Sequence, residues 1–363
     1  MQQTYYQSRK KDFLAGSLFL FMLIILSPLR THAQATTTQQ APLTTIVGVG
    51  DIMMGTSYPS TRYLPPNNGS DLMADVLDIL TNADITFGNF EGTFLNSGKT
   101  TKHCKNPNLC YAFRTPESYI SNLIAAGFDV MSIANNHSGD FGWAGRKKTK
   151  QILSDAGIHF AGLLRSDEYT IFEKNGLTYG FCAFAPNSGT VDIRNITKAK
   201  SIVAKLDKEC DIVIVSFHGG AEGSKHQHVT KKTEKFYGEN RGNVYRFAHA
   251  VIDAGADVVF GHGPHITRAI EVYKDRFIAY SLGNFCTYGR FSLSGPKGFA
   301  PIIKLEVNSD GSFVSGKIIP IYQQKTHGPK KDPQKRAIKK IKALTKTDFP
   351  NSTLTIEEDG SFY

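Results

Sequence analysis

Six times along this chain an apolar run stops at a residue that can bind a metal ion or move a proton. Thr44–Gly50 runs into Asp51, Ile85–Gly88 into Asn89 and Glu91, and Phe128–Ile133 into Asn135, Asn136, His137 and Asp140. Asp211–Phe217 runs into His218 and Glu222, Asp257–Gly261 into His262 and His265, and Phe277–Leu282 into Asn284. Short apolar runs bounded by glycine or polar clusters read as buried strands. In an open α/β sheet, chemistry sits just past the carboxyl ends of the strands. The recurrence therefore predicts a sheet whose strand ends deliver acids, amides and imidazoles to one edge.

Between these strands, apolar residues at helical spacing predict helices over Asp71–Leu80, Pro116–Ala126, Trp143–Ala156, Lys198–Glu209 and Arg246–Ala254. Asn175-Gly176 joins Thr170–Glu173 to Leu177–Phe184 as a hairpin, and Asp310-Gly311 joins Ile302–Val307 to Phe313–Ile321. Strands alternate with helices over the first three quarters, and antiparallel hairpins gather later. That order predicts an α/β fold, a mixed-sheet sandwich covered by helices. A chain of 363 residues, 40% hydrophobic, can bury a sizeable core and is not of disordered composition.

Residues 1–35 read as an export signal. Arg9-Lys10-Lys11 precedes the apolar Phe13–Leu26, and small residues for cleavage follow near Ala33 and Ala35. The apolar run is short of the roughly 20 residues a spanning helix needs. The expected location is periplasmic or extracellular, with residues 36–43 a polar lead-in. Export permits disulfides. Cys104 and Cys110 flank a turn-forming loop and are the expected pair, whereas Cys182, Cys210 and Cys286 lie in or beside apolar runs as free thiols. The formal net charge is +10. Residues 326–363 form a basic helix and tail, with Ala337, Ile338, Ile341 and Leu344 on one face to dock on a body spanning 44–325. Membrane contact is expected only through the signal segment or this tail. The lysines are dispersed and no stacking aromatics interleave with them, which argues against nucleic acid.

Asp, Glu, Asn and His converging on one sheet edge form the ligand set of a hydrolytic metal site suited to a divalent transition metal, Zn, Mn or Fe. Such an ion lowers the pKa of bound water and polarises a phosphoryl oxygen, alone or as one of a pair bridged by a carboxylate. A nearby His not bound to metal can protonate the leaving group. His226, His228, His249 and His327 lack the strand-end placement and read as surface or packing residues. Arg241, between Asn240 and Gly242, can meet a substrate anion as a bidentate donor. Arg290 and Lys297, in the Gly289–Gly298 loop, can add to an anion-binding wall.

Gly50-Asp51-Ile52-Met53, Asn89-Phe90-Glu91, Ala134-Asn135-Asn136-His137, Ser216–Glu222, Gly261–His265 and Tyr280–Phe285 resemble the CapA (poly-γ-glutamate capsule synthesis protein) family. That family is similar to the calcineurin-like metallophosphoesterases. The resemblance implies a four-layer α/β/β/α sandwich with the metal centre in loops at the strand ends. It implies Asp51, Glu91, Asn136, His218, His262 and His265 as metal-binding residues, Glu91 as the bridging carboxylate for one or two ions, and Asp51 and His137 as catalytic, His137 as the acid. Asn135, Glu222, Arg241 and His265 are the expected substrate contacts. Two positions depart from the pattern: Met53 stands where metallophosphoesterases have a histidine, and Gly263 where these relatives have one. The implied function is an exported metal-dependent hydrolase of phosphoesterase type, acting on an anionic small molecule or polymer of the envelope. The alternative is a non-catalytic capsule or envelope factor that binds an anionic polymer such as poly-γ-glutamate and meets capsule or envelope assembly proteins. A hydrolase would lose turnover with Asp51 or His137; a binding factor would not lose polymer binding.

Overall fold

The strand Thr44–Met53 shows how the layers arise. Successive side chains on a strand point to opposite faces. Here Ile46 joins one apolar cluster, and Val47 and Val49 join another. Ile212–His218 divides the same way: Ile212 and Ile214 share the cluster of Ile46, while Val213, Val215 and Phe217 face a third. The first cluster therefore lies between two sheets, and each of the others lies under helices. The computed structural model in which this is seen describes residues 43–102 and 110–363. The expected export signal and Cys104 lie outside the described residues. Cys182, Cys210 and Cys286 are free.

The first sheet runs, in spatial order, His327–Lys331, Phe313–Gln324, Phe299–Val307, Thr44–Met53, Ile85–Phe90, Val130–Ser132 and His159–Ala161. Asn284–Thr287 pairs beside Thr44–Met53, and Ser361–Phe362 beside Phe313–Gln324. The second runs Ile270–Tyr273, Arg276–Ala279, Val258–His262, Ile212–His218, Leu177–Phe184 and Tyr169–Lys174. Helices α1 (Leu77–Thr81), α2 (Ile120–Ala125) and α3 (Gly142–Asp155) cover the outer face of the first sheet through Leu80, Leu123 and Leu153. Helices α4 (Ile196–Leu206) and α5 (Val244–Ile252) cover the second through Ile202, Phe247 and Val251. The architecture is the four-layer α/β/β/α sandwich.

The basic stretch after residue 326 is woven into this body. His327–Lys331 and Ser361–Phe362 both pair with Phe313–Gln324. Helix α6 (Arg336–Asp348) puts Ile338 and Ile341 into the cluster between the sheets and Leu344 into the third. Among the described residues no helix is long and apolar enough to cross a membrane.

Two expected helices are shorter than their apolar spacing predicts. Over Asp71–Leu80 the chain makes tight turns and a 3-10 segment, Ala74–Val76, before the five residues of α1. Leu72, Met73, Val76 and Leu80 all reach the same apolar cluster, and their burial is met by turns rather than by one regular helix. Pro116–Ala126 likewise begins as a 3-10 turn, Glu117–Tyr119, before α2.

Candidate metal centre

Parallel pairing brings the strand ends level. Asp51 is opposite Asn89 on one side and Asn284 on the other, and Asn89 is opposite Ser132, three residues before Asn135. In the second sheet His262 is opposite His218. The chain before Asp51 must pass very close to its neighbour: a Cβ on Gly50 would lie 2.1 Å from the carbonyl oxygen of Gly283. Only glycine permits that approach. It lets the Asp51 amide donate to the same carbonyl at 2.8 Å.

The two carboxylates at this edge are fully buried but differently served. Asp51 Oδ1 accepts from Asn89 Nδ2 at 2.9 Å and lies 3.1 Å from His262 Nδ1, while Oδ2 lies 2.9 Å from His265 Nδ1. Burial alone would raise its pKa, but the hydrogen bonds and charges of His262 and His265 hold it far below the usual carboxylate range. Neither oxygen of Glu91 has a hydrogen-bond partner. His265 Nε2 is 3.6 Å from Glu91 Oε1 and His137 Nε2 is 3.9 Å away. Burial pushes the Glu91 carboxyl well above its ordinary range.

The imidazoles complete the set. Both ring nitrogens of His218 are buried without a partner, as are His262 Nε2 and Asn136 Oδ1. Burial drives His218 well below its usual pKa, which keeps a ring lone pair free. Burial opposes charge on His265 too, but Glu91 and Asp51 outweigh it and raise its pKa to about 10. Donor atoms of Asp51, Glu91 and His218 lie within 4.8 Å of one another. Buried polar atoms in folded proteins are nearly always paired. Unpaired carboxylate, amide and imidazole acceptors gathered at one place fit a divalent cation.

His137 stands beside this set with its ring fixed from behind. Its Nδ1 is 2.7 Å from Asp140 Oδ2, and Lys102 Nζ is 3.0 Å from Asp140 Oδ1. The Phe113 ring lies against the His137 ring, tilted by 36° with the ring centres 4.2 Å apart. Burial lowers the His137 pKa, Asp140 opposes that shift, and Lys102 adds to it. Asn135, expected at the substrate, is turned inward instead. Its Nδ2 donates to Asn89 Oδ1 and to the Phe90 carbonyl, and its Oδ1 accepts from the His137 amide. With its amide spent on three internal partners, it positions Asn89 and His137.

A cleft of about 670 Å³ opens over Asn136, His137 and His265. Lys102, Arg241, Arg290, Lys297 and Lys325 bring positive charge to its wall, against Glu222 and Glu239. Arg241 is only 3% exposed, with Nη2 3.0 Å from Glu222 Oε1. The rings of Tyr111, Phe113, Phe236, Tyr237 and Phe291 complete the lining. Met53, at the departing position, is buried with its sulfur accepting from the Gly55 amide at 3.3 Å. Gly263 has φ +109°, and a Cβ there would lie 2.8 Å from the Gly219 carbonyl oxygen, so this backbone admits no histidine at 263.

Sequence reasoning missed Lys102, Glu234 and Arg268. Fully buried Arg268 grips both oxygens of Glu234, at 2.9 and 2.8 Å, and donates to the carbonyls of His226 and Ala221. Glu234 in turn accepts from the Ala221 amide, and its backbone pairs with Arg241 and Gly242. This clamp holds the loop that carries Glu222 and Arg241 over the cleft. None of the three ends an apolar run, so the strand-end pattern carried no signal for them.

Comparison with known proteins places this geometry among relatives. The family model for the bacterial capsule synthesis protein PGA_cap matches residues 45–288. The chain is 30% identical over 265 residues to the capsule biosynthesis protein CapA of Bacillus anthracis, covering 66% of this chain and 59% of that one. It is 29% identical over 256 residues to the PGA biosynthesis protein CapA of Bacillus subtilis, covering 65% and 61%. The match thus spans about three fifths of each relative's length. Among solved structures, a hypothetical protein from Thermus thermophilus superposes with a TM-score of 0.46 at 16% identity, over 77% of this chain and all of that one.

Proposed function

The chain belongs to the bacterial capsule synthesis protein family, and on that footing we propose that it is an exported metal-dependent hydrolase of phosphoester type, acting on an anionic envelope or capsule-related substrate. The observation that carries this reading is the group of buried, unpaired donors around Glu91, Asn136, His218 and His262 beside the His137–Asp140 pair. Export rests on the basic and apolar start of the chain. An association with capsule or envelope assembly proteins rests on the family alone.

Glu91, Asn136, His218 and His262 would hold the ion, with Asp51 within reach. A divalent transition ion bound there supplies Lewis acidity toward a phosphoryl oxygen and a water nucleophile at neutral pH. The chain's own residues do the rest. Lys102, Arg241 and Lys297 draw the anionic group into the cleft. Asp140 fixes the His137 ring so that Nε2 faces the Glu91 side, where the imidazolium form, whose charge Asp140 favours against burial, would hand its Nε2 proton to the leaving oxygen. Phe113 and Phe291 pack ring to ring and set an apolar wall beside His137 and His265.

The test is metal content of the purified protein by mass spectrometry, followed by a screen of phosphate esters with the wild type and His137→Ala. Bound transition metal and turnover that falls about 10²–10⁴-fold in the variant are expected. A second reading, a binding factor without turnover, is favoured by Met53, which brings no nitrogen to the site. Metal-free protein that stays metal-free after loading would leave that reading in front.

A further inference from the structure

We infer that the guanidinium of Arg241 is the anion-binding point of the cleft, and that Glu222 occupies it in the free protein and gives it up when the anionic group of a substrate arrives. The inference rests on the reading above only in taking the cleft to receive an anionic group, and it deepens that reading by naming what admits the group. Arg241 is 3% exposed yet lines the cleft. Its Nε has no acceptor. Its Nη2 lies 3.0 Å from Glu222 Oε1, near enough for an ion pair but out of line for a hydrogen bond. Glu239 reaches only Nη1, at 3.7 Å and from an exposed position. Buried donors are nearly always paired, so this edge is short of an acceptor. Nε and Nη2 together form an edge that takes two oxygens of one anion. Arg194 shows that edge satisfied in the same chain: its Nε and Nη2 donate to the two oxygens of Asp192, each at 2.8 Å.

The two partners are not equally fixed. The Arg241 amide donates to the Glu234 carbonyl at 2.9 Å, and the Arg241 carbonyl accepts from the Gly220 amide at 2.9 Å. Arg268 anchors Glu234 in turn. Glu222 pairs with Arg241 alone among the described residues, and its side chain is 22% exposed.

A displaced Glu222 has a second cation to turn to. Lys297 lines the same cleft and has no carboxylate partner among the described residues, and its Cε would lie 3.8 Å from a Cβ on Gly223, the next residue. Charge then stays matched through the exchange. The Glu222–Arg241 pair opens, the incoming anion pairs with Arg241, and Glu222 pairs with Lys297. No charge is left buried and alone, which is what makes breaking such a pair costly. The place also suits a group bound for the strand ends, since Arg241 acts electrostatically on Glu91 and His218, and Glu222 on Glu91 and His265.

Calorimetric titration of the purified full chain with inorganic phosphate and with succinate tests this. The protein is first dialysed against chelator so that no ion competes for the probe. Glu222→Gln is expected to bind the better probe about 10-fold tighter than the wild type, because the subsite no longer has to be vacated. Arg241→Gln is expected to bind it at least about 10-fold more weakly. The double variant should match Arg241→Gln, because Glu222 acts through Arg241. Should Arg241→Gln not fold by circular dichroism, Arg241→Lys carries the same comparison, keeping the charge but not the two-donor edge. Tighter binding of phosphate than of succinate assigns the subsite to a phosphoryl group and the reverse to a carboxylate, and either supports it. Unchanged or weaker binding by Glu222→Gln would overturn the inference. So would a gain from Glu222→Gln that persists without Arg241, since Glu222 would then be no more than a nearby repelling charge. Both failures leave the metal-dependent reading standing, and a protein that binds the probes in the expected order but takes up no metal would sink only that reading.

Discussion

Replacing Arg268 by methionine removes one of the two charges of a buried pair and leaves the other. Arg268 is fully buried, and its guanidinium spans both oxygens of Glu234 at 2.9 and 2.8 Å. Methionine fills much of the same volume, so packing loss is small and the electrostatic consequence dominates. Glu234, 5% exposed at its side chain, then keeps only the Ala221 amide as a donor. Stranding one member of a buried pair costs about 3–5 kcal/mol. For a body of this size, at about 2 °C per kcal/mol, the midpoint of thermal unfolding should fall by roughly 6–10 °C. Arg268→Met with Glu234→Gln removes the stranded charge and keeps an acceptor for Ala221. The double variant should recover at least half of the loss. Denaturant unfolding at fixed pH of the wild type, Arg268→Met, Glu234→Gln and the double variant gives four free energies and the coupling between the two sites. A single variant within about 1 kcal/mol of wild type would refute the reasoning, because it would mean that Glu234 finds water or another cation. The loop held by this pair carries Glu222 and Arg241, so the single variant should also be cut faster in that loop by a limiting protease.

Three further outcomes are expected. Gly263→Ala forces a side chain into a left-handed conformation against the Gly219 carbonyl, and should destabilise by about 1–3 kcal/mol in urea unfolding. Asp332→Ala should cost about 0.5–2 kcal/mol, because its carboxylate accepts from the Arg336 amide at the start of α6 and from the Arg336 guanidinium. Burial would raise the Asp332 pKa, but Arg336 and the backbone amides bring it below its ordinary value. Its contribution is therefore full above the unfolded-state pKa and lost as pH falls through the folded one, so wild type and Asp332→Ala should converge in stability below about pH 4. Saturating Zn(II) or Mn(II) at about 100 times its dissociation constant should stabilise the wild type by about 2.7 kcal/mol. His218→Ala should show no such shift in a thermal melt; an equal shift in both would place the ion elsewhere.

What was legible in the sequence is what the strands themselves dictate. A strand that is apolar on both faces must lie between layers, and a polar residue at its carboxyl end is brought to the sheet edge. Asp51, His218 and His262 are polar residues near or at the carboxyl ends of their strands, Glu91 and Asn136 follow theirs, and register sets Asp51 against Asn89 and His262 against His218. The same logic gave the hairpins, because Asn175-Gly176 selects its own turn. After residue 326 the apolar face of α6 was legible, Ala337, Ile338, Ile341 and Leu344 being buried as expected, but the strands on either side of it were not. His327–Lys331 is basic and contains a proline, so it lacks the apolar signal of a strand, and only the free edge of Phe313–Gln324 makes it one.

Asn135 and Asn136 show where pattern stops being enough. They are adjacent, chemically identical and equally placed at a strand end, yet Asn135 spends its amide on Asn89, Phe90 and His137 while Asn136 Oδ1 stays unpaired. Nothing local distinguishes them; the difference comes from which side of the turn faces the neighbouring strand. Asp51 and Glu91 repeat the lesson with charge. Both lie at the carboxyl ends of parallel strands and both are fully buried, but the histidines that arrive from the other sheet meet Asp51 at 3.1 and 2.9 Å, while His265 stays 3.6 Å from Glu91. Asp51 therefore meets its histidines within hydrogen-bonding distance, and Glu91 keeps both oxygens unpaired. That distinction exists only once the two sheets have packed, because the donors that make it come from both.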